Sequence, residues 1–137
     1  MNMLLKMYYK VFGSRKVKAQ ELEIIGEFRR RLQTEDQKIL DSQLSAAICV
    51  QEQAGGAKWC WYYDEKLAAC FSDKSLNKRV ANVALACNDE GVRMTAKIYT
   101  HRGKFFSIEY PKRPSRYKEL HGMDCIKLKV VDVNLTE

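Results

Sequence analysis

The spacing of apolar residues along the chain changes period near position 55. Ahead of that point Leu22, Ile25, Phe28 and Leu32 recur at three- and four-residue intervals, with Glu21, Glu23, Glu27 and Arg29, Arg30 and Arg31 between them, the period of a helix with one buried stripe. Its acids come early and its arginines late, which complements the helix dipole. Thr34 then opens "TEDQ". Its hydroxyl is placed to accept from the Gln37 backbone N–H while the Gln37 side chain reaches back, so this capping-box pattern predicts a second helix. Ile39, Leu40, Leu44, Ala47 and Ile48 form its apolar face, and the glycines of "QAGGA" close it. Helix is expected across 18–53.

After Gly56 the period falls towards two. "KWCWYY" places Trp59, Trp61 and Tyr63 on one face and Cys60 and Tyr62 on the other, and alternating aromatics favour a strand. "DE" at 64–65 turns the chain into "KLAACF". "RVANVALAC" fits a strand through Val83, Leu85 and Cys87 and a helix through Leu76, Val80, Val83, Ala84 and Cys87; the strand is the preferred reading. "NDEG" is a turn signal. "VRMTAKIYT" alternates most cleanly, with Val92, Met94, Ala96 and Ile98 inward and Arg93, Thr95 and Lys97 outward. His101, Arg102 and Gly103 make the following loop, where Gly103 is free to take positive φ. "KFFSIEY" returns with Phe106, Ile108 and Tyr110 on one face and Phe105, Ser107 and Glu109 on the other. Pro111 stops it, "PKRPSRYK" is a basic loop, and "CIKLKVVDV" is a last strand with Ile126, Leu128 and Val130 on one face and Lys127 and Lys129 on the other. The expected fold is α+β: two to three N-terminal helices packed on an antiparallel sheet of about four to five strands, with 57–133 mainly strand, in one domain spanning 1–137. The order resembles the helix-on-meander shape of cystatin-like domains, a likeness of architecture alone.

Residues 1–16 form a possible amphipathic helix. Leu4, Leu5, Met7, Tyr8, Val11 and Phe12 cover most of its circumference, Lys6 and Lys10 share a narrow stripe, and Arg15 and Lys16 follow. The lysines interrupt what a signal peptide keeps apolar, and the run is too short and too charged to span a bilayer. Docking on the core is the ordinary use of such a helix. Membrane contact would use Leu4, Leu5, Tyr8, Phe12, Arg15 and Lys16, and a partner interface is the third use.

Charge sharpens the picture. The chain of 137 residues has a formal net charge of +7. Residues 1–33 hold 8 Lys/Arg against 3 Asp/Glu, residues 34–91 hold 6 against 9, and residues 92–124 hold 8 against 3. Two basic blocks thus flank an acidic middle, an arrangement that steers an acidic protein, nucleic acid or an anionic membrane surface, and that equally serves as solvated surface. The five cysteines are Cys49, Cys60, Cys70, Cys87 and Cys125. Their wide spacing contains no Cys-x-x-Cys, so free thiols packed as small hydrophobes in a reducing cytoplasm are expected.

Candidate chemistry is sparse. A ribonucleoprotein-type strand is matched by Arg102, Gly103 and Phe106 and broken by Lys104, Phe105, Ser107 and Glu109, and helices grouped at the front contradict that family's order. The generic docking set is Arg93, Lys97, Arg102, Lys104, Lys112, Arg113, Arg116 and Lys118, with Tyr62, Phe105 and Tyr117 as aromatic contacts. Only His101 and His121 could serve a cysteine nucleophile; His121 lies near Cys125 across a glycine-containing loop that fixes neither. Those histidines and Asp124 lack metal-ligand spacing, and "QAGGAK" lacks P-loop spacing. Asp64-Glu65 and Asp89-Glu90 sit in predicted turns with nothing to raise their pKa. No catalytic residue, metal site or cofactor is therefore expected. The expected function is a non-catalytic protein-binding module with an acidic partner, in concrete form a small cytoplasmic inhibitor or bacterial immunity-type protein that neutralises a toxin or enzyme domain. The alternatives are RNA binding through 93–118 and peripheral membrane association through 1–18.

Overall fold

A computed structural model of the chain describes residues 17–54, 57–64, 66, 69–87, 93–110 and 128–136. Among these residues two helices, α1 (Ala19–Arg31) and α2 (Thr34–Ala46), precede six strands: β1 (Ala47–Gln53), β2 (Lys58–Tyr63), β3 (Lys78–Cys87), β4 (Arg93–His101), β5 (Lys104–Glu109) and β6 (Leu128–Leu135). The strands make one antiparallel sheet in the order β1-β2-β5-β4-β3-β6. The α+β expectation holds, with six strands rather than four to five. The chain's 80–87 segment is strand, as preferred.

The extra strand is β1, and it corrects the helical reading of 18–53. Helix α2 ends at Ala46, and Ala47 turns into extended backbone at ψ 130°. Ala47 and Ile48 continue the Leu40–Leu44 spacing, so periodicity alone carried the helix too far. Ala47 and Cys49 to Gln53 pair across to β2 instead, with the β-branched Val50 opposite Trp61 and Ile48 left as the extra residue between Ala47 and Cys49. The described ends of "QAGGA" connect two strands rather than closing a helix, with Gln53 opposite Lys58 and Ala54 at a φ of 51°. Asp64 Oδ1 accepts from the Lys66 N–H, and Phe71 N–H reaches the Gly103 carbonyl at 2.8 Å.

Helix α1 is also rotated from its expected phase. Its buried stripe is Gln20, Glu21, Ile24, Ile25 and Phe28, whereas Leu22 is 57% exposed. A buried glutamate needs hydrogen bonds. The Tyr110 hydroxyl donates to Glu21 Oε2 at 3.1 Å and accepts from Gln20 Nε2 at 2.9 Å. Replacing Tyr110 with phenylalanine is expected to cost about 1–3 kcal/mol by stranding these groups, measured by urea denaturation. The capping box does not form either. Gln33 rather than Thr34 is the N-cap, with no side-chain cap bond. The Gln37 backbone N–H bonds the Gln33 carbonyl and its side-chain amide donates to the Arg29 carbonyl at 2.9 Å, so Gln37 ties α2 back to the end of α1.

The helices cover one face of the sheet, α1 over β6 and α2 over β5. Ile24, Phe28 and Leu40 meet Trp59, Val83, Leu85, Ala96, Ile98 and Ile108 in the core. Trp59 and Trp61 are buried as their alternation implies, and Tyr63 packs beside them. Met94, Ala96 and Ile98 face inward, as read. On β6 Val131 is an extra residue, since Ala84 faces Asp132 and Leu85 faces Val130. This bulge lets both Val130 and Val133 face the core. Glu23 Oε1 accepts the Val130 N–H at 3.0 Å, so a side chain from α1 occupies a main-chain donor of the edge strand.

Two surface carboxylates are held by cations. Arg29 forks onto Asp41 with two contacts of 2.8 Å, and Lys78 meets Asp73 at 2.6 Å. The bonds from Arg29 hold Asp41 below the usual carboxylate range, and bonds from Lys78 and then Ser75 do the same for Asp73. Depressed acids stabilise above their unfolded pKa near 4 and lose that contribution as pH falls through the folded value. The stability gap between the parent and Asp73→Asn is therefore expected to narrow as the pH is lowered through the acid range, followed by thermal melts. A gap that is unchanged by acid would contradict the pairing.

Candidate aromatic and basic interface

Antiparallel partners share a face of the sheet. Trp59, Ile108 and Ile98 are opposite one another and point to the core, so the intervening residues point away from the helices. That side carries Lys58, Cys60 and Tyr62 of β2, Ser107 and Glu109 of β5, and Lys97, Tyr99 and His101 of β4; Cys60 and Ser107 are buried there and the others half-buried. Phe106 joins them because β5 is bulged. Tyr99 pairs with Ser107 while Thr100 pairs with Phe105, leaving Phe106 as the extra residue. The expected face assignment of β5 is corrected accordingly. Phe105 is fully buried against Phe28 and Trp61 and cannot meet a partner. Phe106 faces outward in its place.

A seam opens at the same point. Strands β2 and β5 pair only through Lys58–Cys60 and Ser107–Glu109. Beyond these pairs Trp61–Tyr63 and Lys104–Phe106 part company. Main-chain groups released in this way need other partners. The Phe105 carbonyl accepts from the Tyr63 hydroxyl at 2.6 Å, and the Phe105 N–H donates to Gln43 Oε1 at 2.9 Å. The same buried Gln43 donates from Nε2 to the Gly103 carbonyl at 2.9 Å and the Ala69 carbonyl at 3.1 Å. Side chains therefore hold the seam open with its Phe105 main-chain groups bonded. Burial also keeps the Tyr63 phenol protonated well above its ordinary range.

The seam contains a cleft of about 180 Å³. Trp61, Tyr62 and Tyr63 form its β2 side; His101, Arg102, Lys104 and Phe106 form the other. Tyr62 and Phe106 meet edge to face at 5.8 Å, and the His101 ring lies 5.5 Å from Phe106. Gln53 Nε2 bonds the Tyr62 hydroxyl at 3.1 Å, and His101 Nδ1 lies 3.2 Å from Asn77 Oδ1. Lys58 Nζ sits 6.0 Å from the Phe106 centroid, in cation–π range.

Among the described residues no carboxylate lines the cleft. The neighbouring Glu109 is already engaged by the Ser107 hydroxyl at 2.8 Å and by Lys58 at 4.0 Å. Lys97, Arg102 and Lys104 make no ion pair with any described residue.

The β4–β5 turn sets where these cations point. Arg102 and Gly103 have φ of 51° and 79°, between the paired His101 and Lys104. Positive φ at both central residues is the type I′ turn, which favours Asn-Gly. Arginine is a poor choice there for stability. Replacing Arg102 with asparagine is expected to stabilise the fold by about 0.5–1 kcal/mol and to weaken any partner that uses the arginine. Opposite signs in thermal melting and in binding would mark Arg102 as retained for contact.

The anticipated docking residues divide three ways. Tyr62, Lys97, Arg102 and Lys104 are brought to one face, and Phe105 is excluded from it. Arg93 begins β4 opposite Ala86. Lys112, Arg113, Arg116, Tyr117 and Lys118, the 1–16 set with Leu4, Leu5, Tyr8, Phe12, Arg15 and Lys16, and the His121–Cys125 pair lie outside the described residues. Sequence reasoning missed Phe106, Tyr99 and His101 as outward groups. The signal available was the adjacency "FF", which leaves one ring for each face when a strand is bulged.

Cys49, Cys60 and Cys70 are free thiols. Burial pushes the Cys49 and Cys60 thiols up, which disfavours the nucleophilic thiolate. No described group of three His, Cys, Asp or Glu residues is arranged to hold a metal, and no described helix is long and apolar enough to cross a membrane. A second hollow of about 220 Å³ lies between Phe28, Leu32 and Phe71 and the Asp73–Lys78 ion pair. No protein-family model, curated protein or solved structure matches the chain.

Proposed function

We propose that this α+β domain is a non-catalytic protein-binding module that docks an acidic protein through the outer face of β2, β4 and β5. The carrying observation is the cleft at the β2–β5 seam, floored by Tyr62 and Phe106 and rimmed by Arg102 and Lys104, with no carboxylate among its described lining residues. Aromatic residues and arginine around a partly enclosed hollow are the composition of a binding hot spot. At about 180 Å³ the cleft is smaller than the roughly 300–1,000 Å³ typical of small-molecule sites. It suits one anchoring side chain better than a substrate or cofactor. In concrete form the module is a small inhibitor of immunity type that masks an acidic enzyme or toxin surface. That form draws support from charge and the aromatic anchor, and its basic rim would speed association in low salt.

Nucleic acid is the weaker reading of the same face. Base stacking requires an open ring face, but Phe106 has Lys58 near its ring and the Tyr62 and His101 rings beside it.

The test is affinity capture from nuclease-treated native extract with the parent, Tyr62→Ala and, as a second variant, Tyr99→Ala, each first shown to melt cooperatively. A protein retained by the parent and lost by the variants is the expected result. Capture that vanishes with nuclease, or that ignores both substitutions, would sink the proposal.

A further inference from the structure

We infer that the group seated in the β2–β5 cleft is the carboxylate side chain of an aspartate or glutamate from an acidic segment of the protein partner. This rests on the docking reading above and specifies its chemistry. Arg102 is exposed at the turn tip and Lys104 follows two residues later, both on the cleft wall. Neither has an ion-pair partner among the described residues. By contrast, Lys58 beside the same aromatic rings already has Glu109.

A closing surface must remove water from these two cations. A neutral or basic anchor would leave them buried and uncompensated. A carboxylate compensates both, and the arginine fork can take its two oxygens together. The half-buried rings of Tyr62 and Phe106 provide an apolar surface for the methylene stem of the same side chain. Glu109 cannot provide the charge from within, since Ser107 and Lys58 hold it on the neighbouring strand positions. An aromatic ring alone would fill the floor and leave the rim unanswered.

The probe is a short glutamate homopeptide, titrated while Trp61 fluorescence and backbone amide shifts are followed. A glutamine homopeptide of equal length and a thymidine oligonucleotide run alongside. Saturable binding should shift the amides of Tyr62, Lys104 and Phe106. The double variant Arg102→Glu/Lys104→Glu should weaken it by about tenfold or more, equivalent to about 1.4 kcal/mol. Lys38→Glu/Lys129→Glu makes the same change in net charge away from the cleft and should leave affinity within about twofold, because distant surface charges are screened. Three outcomes overturn the inference: glutamine peptide binding as well as glutamate, the remote pair mattering as much as the local pair, or the oligonucleotide binding more tightly through Arg102 and Lys104. A captured native partner that depends on Tyr62 yet ignores the charge reversal would remove this inference and leave the docking reading intact. Absence of any captured protein would remove the docking reading and this inference with it.

Discussion

Replacing Gly103 with alanine is expected to destabilise the protein by about 2–4 kcal/mol, combining a left-handed backbone penalty with overpacking. Gly103 has a φ of 79° at the second position of the β4–β5 turn. A Cβ built there would lie 2.9 Å from the Phe71 carbonyl oxygen and 3.2 Å from Cys70 Cβ. The first neighbour is main chain and is itself tied down, because the Phe71 N–H donates to the Gly103 carbonyl at 2.8 Å. It cannot retreat without breaking that bond. Urea denaturation with Arg102→Gly as the companion variant separates the causes. The companion keeps the turn and adds no atom, so it should be tolerated. Equal tolerance of Gly103→Ala would show that the loop carrying Phe71 does not press on the turn.

Gln43→Leu is expected to cost a comparable amount, about 2–4 kcal/mol, because a near-isosteric apolar side chain strands buried main-chain groups that the amide now serves. The Phe105 N–H loses its acceptor and the Ala69 carbonyl its donor, while the Gly103 carbonyl retains the Phe71 N–H. Gln43→Glu adds a sharper check. A carboxylate there can still accept from Phe105 but faces the Gly103 and Ala69 carbonyl oxygens. That environment favours the protonated acid, so its folded pKa would lie above the unfolded value near 4.3. A raised acid makes the folded state bind more protons in that window. Stability of the Gln43→Glu protein should therefore fall as pH rises through it and recover on acidification. A pH-independent difference from the parent would contradict the buried contacts drawn for this residue.

Much of the sheet was legible because its alternation was strict. The clearest segment, 93–100, became β4 with the described inward residues as read, and the ambiguous 80–87 became β3. Failures cluster where two periods overlap or where a strand carries an extra residue. Ala47 and Ile48 continue a helical spacing, yet the pairing of Ala47 and Cys49 with β2 on either side of Ile48 draws both into a strand. Glu21 is buried and Leu22 exposed because Tyr110, 89 residues away along the chain, supplies a bond that no local pattern announces. The docking face was legible in its charges and illegible in its rings. A single bulge at Phe106 exchanged it with Phe105, and period-two reasoning has no means of placing a bulge.

The shortness of the β2–β5 ladder has one more consequence. Its pairing from Lys58 to Cys60 is the only described strand-to-strand junction joining the β1–β2 hairpin to the block of β5, β4, β3 and β6. The sheet is thus two plates sharing a narrow hinge line, with Tyr63 pinned across the open end and Gln43 holding the β5 side from α2. Tyr62 on one plate and Phe106 on the other touch edge to face across that line and act as its clasp.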